Sequence, residues 1–125
     1  MKNPSERLEQ KALVQRLKNE GIFVTSIPNG VNFDNNSNKI AKFKEIAMLK
    51  NEGLLPGMTD LIIILENHVI FLEMKKEGGK ISKEQEKVHK QLKELGQDVQ
   101  VFYNAKSAWG YIDNKRKEID ESRFN

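Results

Sequence analysis

The sequence predicts an α/β fold, a mixed central sheet flanked by helices, and three observations point to it. Two apolar runs, LIIIL and VIFLEM, stand on either side of a short polar break in Asp60–Lys76 and read as a hairpin. Both faces of that hairpin are apolar, as expected of strands from the middle of a sheet. Segments of helical and strand-like periodicity follow one another in the order α, β, α, β, β, α, β, α, which sets helices against the faces of a mixed sheet.

Each element has its own signals. SERLEQKALVQRLKNEG reads as a first helix, with Pro4 and Ser5 suited to its start and Gly21 to its stop. IFVTSIP follows as a strand closed by a PNG turn, and VNFDNNSN is polar enough to be a mobile loop. KIAKFKEIAMLKNEG reads as a second helix ending at Gly53, and LLPGMT as a connector to the hairpin. A third helix runs from about Ser82 to Leu95 before Gly96, DVQVFY alternates as a strand, and AKSAWGYIDNKRKEI forms the last helix, with ESRFN frayed beyond it. There is no repeat and no linker, so residues 1–125 read as a single domain.

Composition removes several chemistries. The chain has no cysteine and two histidines, which excludes disulfides, thiol nucleophiles and a histidine metal cage. Any metal must be held by oxygen, which favours magnesium or manganese. No apolar run is long enough for a membrane span, and MKNPSERLEQ lacks the apolar core of a secretory signal, so the expectation is a soluble protein of the cytoplasm. A net charge of +3 and a pI near 9.1 permit nucleic-acid binding without requiring it.

The hairpin carries three charges whose spacing matters. Side chains alternate across a strand, so Asp60, Ile62 and Ile64 share one face, as do Val69, Phe71, Glu73 and Lys75. A two-residue turn at Glu66–Asn67 places Asp60 opposite Glu73, and a four-residue turn places it opposite Lys75. Either register keeps all three charges on one face. Opposed carboxylates, with Cβ atoms about 5 Å apart, repel unless a cation lies between them. The plainer alternative is that the acids mark strand ends and Lys75 is an ion-pair partner.

Two further polar residues interrupt apolar stripes. Glu6 is in line with Gln10, Leu13 and Leu17 on the first helix, where it serves either the helix dipole or a site. Gln85 is in line with Ile81, Val88, Leu92 and Leu95, and Ser82-x-x-Gln85 also fits a capping box. His89, one turn on, reads as a surface or boundary histidine.

Taken together, E-x-x-x-Q on the first helix, IPNG, PGMTD, LEMK and SKEQ resemble the VRR-NUC family of the PD-(D/E)xK nuclease superfamily, in its stand-alone phage or bacterial type. The resemblance runs from about Glu6 to Tyr103. It implies a restriction-endonuclease-like sheet and a Mg2+ or Mn2+ site built by Asp60, Glu73 and the Met74 carbonyl, with Glu6 as a further acid. It also implies that Lys75 orients or activates the attacking water and that Gln85 supports the site. Thr59 departs from the family, which often has proline before the aspartate. Phosphodiester hydrolysis by water needs charge neutralised at phosphorus and the leaving oxygen, which a divalent cation and a lysine supply without a covalent intermediate.

The implied activity is a metal-dependent endonuclease of structured DNA, Holliday junctions above all. A non-catalytic DNA-binding module and a flap or nicking nuclease of replication and repair remain as alternatives. Lys39, Lys42, Lys44, Lys50, Lys76, Lys80 and Lys83 are available to phosphates, or are ordinary solvated surface. Two symmetric nicks in a four-way junction call for a homodimer. Its surface is expected on the second helix (Phe43, Ile46, Met48) or the last (Trp109, Tyr111), unless these residues are core.

Overall fold

The computed structural model describes residues 3–28 and 38–124, so the PNG turn beyond Pro28 and most of the asparagine-rich loop lie outside the described residues. The elements are α1 (Pro4–Asn19), β1 (Phe23–Ser26), α2 (Lys39–Asn51), β2 (Leu61–Leu65), β3 (His68–Met74), α3 (Lys83–Glu94), β4 (Asp98–Phe102) and α4 (Ala105–Ser122). This is the predicted order. The last helix is longer than its apolar pattern suggested, because it continues through Glu121 before ending at Ser122. Among the described residues no helix is long and apolar enough to cross a membrane.

Helix ends follow side-chain chemistry. Asn3 caps α1 by accepting the Ser5 N–H at 2.9 Å, while the Glu6 carboxylate reaches back to the Asn3 N–H at 3.3 Å. Asn38 caps α2 by accepting the Ile40 N–H, and Asn104 caps α4 by accepting the Ser107 N–H.

The four strands form one sheet in the order β1-β2-β3-β4. The first three are antiparallel, and β4 joins β3 in parallel, so the sheet is mixed and the hairpin lies at its centre. Leu65 pairs with His68, which leaves a two-residue turn at Glu66 and Asn67. Asn67 sits at φ +55°, a left-handed conformation that asparagine tolerates better than most residues.

The sheet's two faces are covered unequally. On one, Leu61, Ile63, Ile70, Leu72 and Met74 are buried against Leu13 and Leu17 of α1 and Ala108 and Ile112 of α4. Each such leucine or isoleucine contributes roughly 1.5–3 kcal/mol of burial. Trp109 fastens the two helices together, with the Arg16 guanidinium 4.6 Å and the Arg116 guanidinium 5.4 Å from its ring. The opposite face carries Asp60, Ile62, Ile64, Val69, Phe71 and Glu73 by alternation, and Val99 and Val101 join it from β4. Here α3 covers the β4 side, whereas Phe23 and Ile64 toward β1 stay exposed.

Candidate active site

The two-residue turn fixes the geometry of the site. With Leu61 paired to Leu72, Asp60 comes one step beyond the ladder, level with Glu73. Its Oδ2 accepts the Met74 N–H at 2.8 Å, which ties the carboxylate to the neighbouring strand. Glu73 is only 2% exposed, buried at the end of the central strand. Of the two registers left open by the sequence, the structure has the one that opposes the acids.

Lys75 follows directly. Its backbone N–H donates to the Phe102 carbonyl at 2.9 Å, so the chain past β3 stays pinned to β4. Alternation sets its half-buried side chain on the Asp60–Glu73 face. Glu6 arrives from α1, and its carboxylate has two partners. Oε2 accepts the Asn3 N–H in the helix cap, and Oε1 accepts the Lys76 N–H at 2.8 Å across 70 residues of sequence. The helix-dipole role and the placement at the sheet end therefore coexist in one side chain.

Gln85 is held by the capping box. Its Oε1 accepts the Ser82 N–H at 2.8 Å, and its own N–H donates to Ser82 Oγ at 3.1 Å. The helix start is also braced from outside. Gly57 of PGMTD has φ +94°, and a Cβ there would lie 2.5 Å from the Glu84 carbonyl oxygen and 2.9 Å from the Gln85 nitrogen. Only glycine lets this loop press against α3, which sets the distance between Gln85 and the segment leading to Asp60. Thr59, at the entrance to β2, is fully buried.

His89 corrects the sequence reading. It is 4% exposed, and its Nε2 is buried without a hydrogen-bond partner. Burial lowers its pKa first, and the positive charges of Lys93 and Lys75 lower it further against an opposing pull from Asp60. The imidazole thus feels both Lys75 and Asp60 and stays neutral near pH 7. Its distance of one turn from Gln85 was the signal available in the sequence. A second buried polar atom without a partner, Gln10 Oε1, lies one turn after Glu6 on α1. Lys42 is also corrected: it is 7% exposed, which removes it from the lysines open to phosphate, whereas Lys39, Lys44, Lys50, Lys76, Lys80 and Lys83 are exposed.

The donor set suits a hard divalent cation. Two carboxylates level with each other beside a backbone carbonyl are all oxygen, and magnesium commonly takes one or two carboxylates and keeps several waters. Among the described residues no three carboxylate or imidazole groups converge into a complete metal cage, so Glu6 reaches the same end of the sheet without joining Asp60 and Glu73 in one cluster.

No curated protein and no solved structure matches the chain significantly. The VRR-NUC domain family does match, over residues 4–106. That span runs from the first turn of α1 to the first turn of α4 and takes in every residue described above as part of the site. The mixed sheet is consistent with such a domain, and the chain belongs to the VRR-NUC domain family, a family of nucleases.

Proposed function

We propose that this protein is a Mg2+- or Mn2+-dependent endonuclease that hydrolyses phosphodiester bonds in branched DNA, four-way junctions above all, and works as a homodimer. The observation that carries this reading is the hairpin register, which sets Asp60 level with the buried Glu73 and holds it by the Met74 N–H. Like charges so opposed repel, and a cation between them removes the repulsion.

Asp60, Glu73 and the Met74 carbonyl hold the cation in this proposal, with Glu6 as a further acid beside them. A bound divalent cation offsets charge on the reacting phosphate and makes water more acidic. Lys75 orients the attacking water and adds positive charge next to the phosphate. Water forms the new P–O bond, the bond to the leaving sugar oxygen breaks, and that oxygen takes a proton. Gln85 steadies the site from the first turn of α3. The family's nuclease character supports the reaction class, and the two-fold symmetry of a junction supports the dimer.

The test is a cleavage panel of four-way junctions, flaps, forks and plain duplex with Mg2+ or Mn2+. Junctions are expected to be cut fastest. Asp60→Asn and Glu73→Gln should each abolish cleavage while retaining the native circular dichroism, with Glu73→Gln melting no lower than the parent in the absence of metal. Full activity in both variants overturns the metal site. A protein that cuts flaps and ignores junctions overturns the junction preference and leaves the nuclease in place.

A further inference from the structure

Beside the proposed site lies a groove between α1 and the edge strand β1, of about 710 Å³, an ordinary size for a ligand cleft. Arg7, Lys11 and Lys18 line it, and no carboxylate does among the described residues. Positions 7, 11 and 18 fall within about 40° of one another around a helix and extend along about 16 Å of its axis. The cations therefore form one straight row.

The other charges of α1 are engaged elsewhere. Glu6 accepts from Lys76 N–H and Glu9 from Ala105 N–H, while Arg16 pairs with Glu20 and stacks on Trp109. Arg7, Lys11 and Lys18 make no ion pair among the described residues. A helix face that serves only solubility ordinarily interleaves acids with its bases. Here the acids are drawn off to other partners, and three bases are left facing a trough of mixed polar and apolar lining. Its other wall is β1, where Thr25 and Ser26 bring hydroxyls and the outer backbone edge has no neighbouring strand among the described residues.

The groove leads to the site. Ser26 pairs with Leu61, and the Ile27 N–H donates to the Asp60 carbonyl at 2.9 Å, so the upper end of β1 touches the segment that bears the catalytic aspartate. At the same end Arg7 follows Glu6 in the chain, and Gln10 lines the groove with its buried, unpartnered Oε1. Lys18 marks the far end. We infer that this groove is a track for the sugar–phosphate backbone of a DNA strand leaving the active site, with Arg7, Lys11 and Lys18 each neutralising a phosphate. The inference rests on the nuclease reading and adds to it a direction for one arm of the substrate. At 3.4 Å of rise per nucleotide, the row spans about five nucleotides.

The experiment measures binding against salt in a cleavage-silent Glu73→Gln background, with the triple variant Arg7→Gln/Lys11→Gln/Lys18→Gln, whose exposed positions and helix-compatible replacements keep the fold. Two DNAs carry a long arm, one duplex and one single-stranded, and a third is trimmed next to the site. The triple variant should bind an armed DNA about tenfold more weakly near 0.1 M salt, with a log–log salt slope lower by roughly 2 to 3, and bind the trimmed DNA like its parent. The arm that responds identifies the strand form. Unchanged slopes on both arms overturn the track, as does equal weakening on the trimmed DNA. Cleavage by the otherwise native protein is assayed in parallel, so failure of the nuclease reading shows separately from failure of the groove. Removing Lys117 and Arg123, which pair with Asp113 and Glu66 on another part of the surface, is the charge control and should leave the slope as it was.

Discussion

Asp98 secures the end of the sheet remote from the acids. Its Oδ2 accepts from the Tyr111 hydroxyl at 2.6 Å and meets His68 Nε2 at 2.8 Å, and its Oδ1 accepts from Gln100 Nε2 at 2.8 Å. Burial alone raises the carboxyl's pKa, but the hydrogen bonds from Gln100, Tyr111 and His68 together outweigh it and hold it below the ordinary value. A depressed carboxyl stabilises the fold above its unfolded pKa near 4, and that contribution is lost as pH falls through the folded value. Tyr111 moves the other way, raised first by burial and then by Asp98, so its contribution lasts until strongly alkaline pH. Asp98→Asn should cost about 2 kcal/mol at pH 7, the scale of a charged hydrogen bond. Urea melts should show that difference shrinking as pH falls below about 4. None of this network is visible in the sequence, because its members come from β3, β4 and α4 and only packing brings them together. The Asp60–Glu73 pairing was legible down to two registers, since alternation is a property of a strand by itself. His89 was misjudged because helical periodicity set it beside the apolar stripe, while the covering strands bury both positions.

At the scale of elements, the contact between the PGMTD loop and the start of α3 governs how the site is assembled. Gly57 combines a positive φ with backbone of Glu84 and Gln85 inside the volume of a Cβ. Gly53 makes an informative contrast, with φ +111° and no atom within 4 Å of the place a Cβ would occupy. Gly53→Ala should therefore cost only the backbone strain, about 1–2 kcal/mol, whereas Gly57→Ala adds a backbone clash and should cost about 2–4 kcal/mol. Denaturant midpoints check the stability order. Nuclease turnover should fall far more in Gly57→Ala than in Gly53→Ala, because only the former displaces Gln85. The capping box at Ser82 and Gln85 was legible from its spacing, and the loop pressing on it was not, because a glycine's neighbours lie outside the local pattern.

Across the whole molecule, the apolar surface is distributed unevenly. Trp109 and Tyr111, one candidate pairing surface, are partly buried against the core, so they serve the monomer. On α2, by contrast, Ile40, Phe43 and Met48 are 65%, 73% and 53% exposed, and Ile46 is half-buried. The sequence could not separate these two sets, since an apolar residue on a helix reads alike whether its own chain or a second copy covers it. The expected assembly is a dimer of twice the 14.4 kDa chain, held through α2. Light scattering during gel filtration should give that mass, and Phe43→Asp should halve it while leaving the thermal melt of the monomer close to the parent's. A parent protein that elutes as a strict monomer at micromolar concentration removes the dimer.

The parallel pairing of β3 with β4 also has a kinetic consequence. The β2–β3 hairpin closes through two turn residues, and such ribbons form in microseconds. The β3–β4 ladder must wait for α3 to cross over, and the Glu6–Lys76 bond must close 70 residues of chain. On that order of closure Asp60 and Glu73 are expected to meet early, before α1 docks, and Glu6 to arrive late. Their mutual repulsion is then expected to raise the folding barrier. Glu73→Gln should refold severalfold faster than the parent in metal-free buffer, and Mg2+ should speed the parent's refolding limb. Ile112→Val, on α4, should leave refolding unchanged and hasten unfolding. Stopped-flow chevrons separate the two effects, and a Glu73→Gln protein that refolds at the parent's rate would mean that the acids meet only after the barrier is crossed.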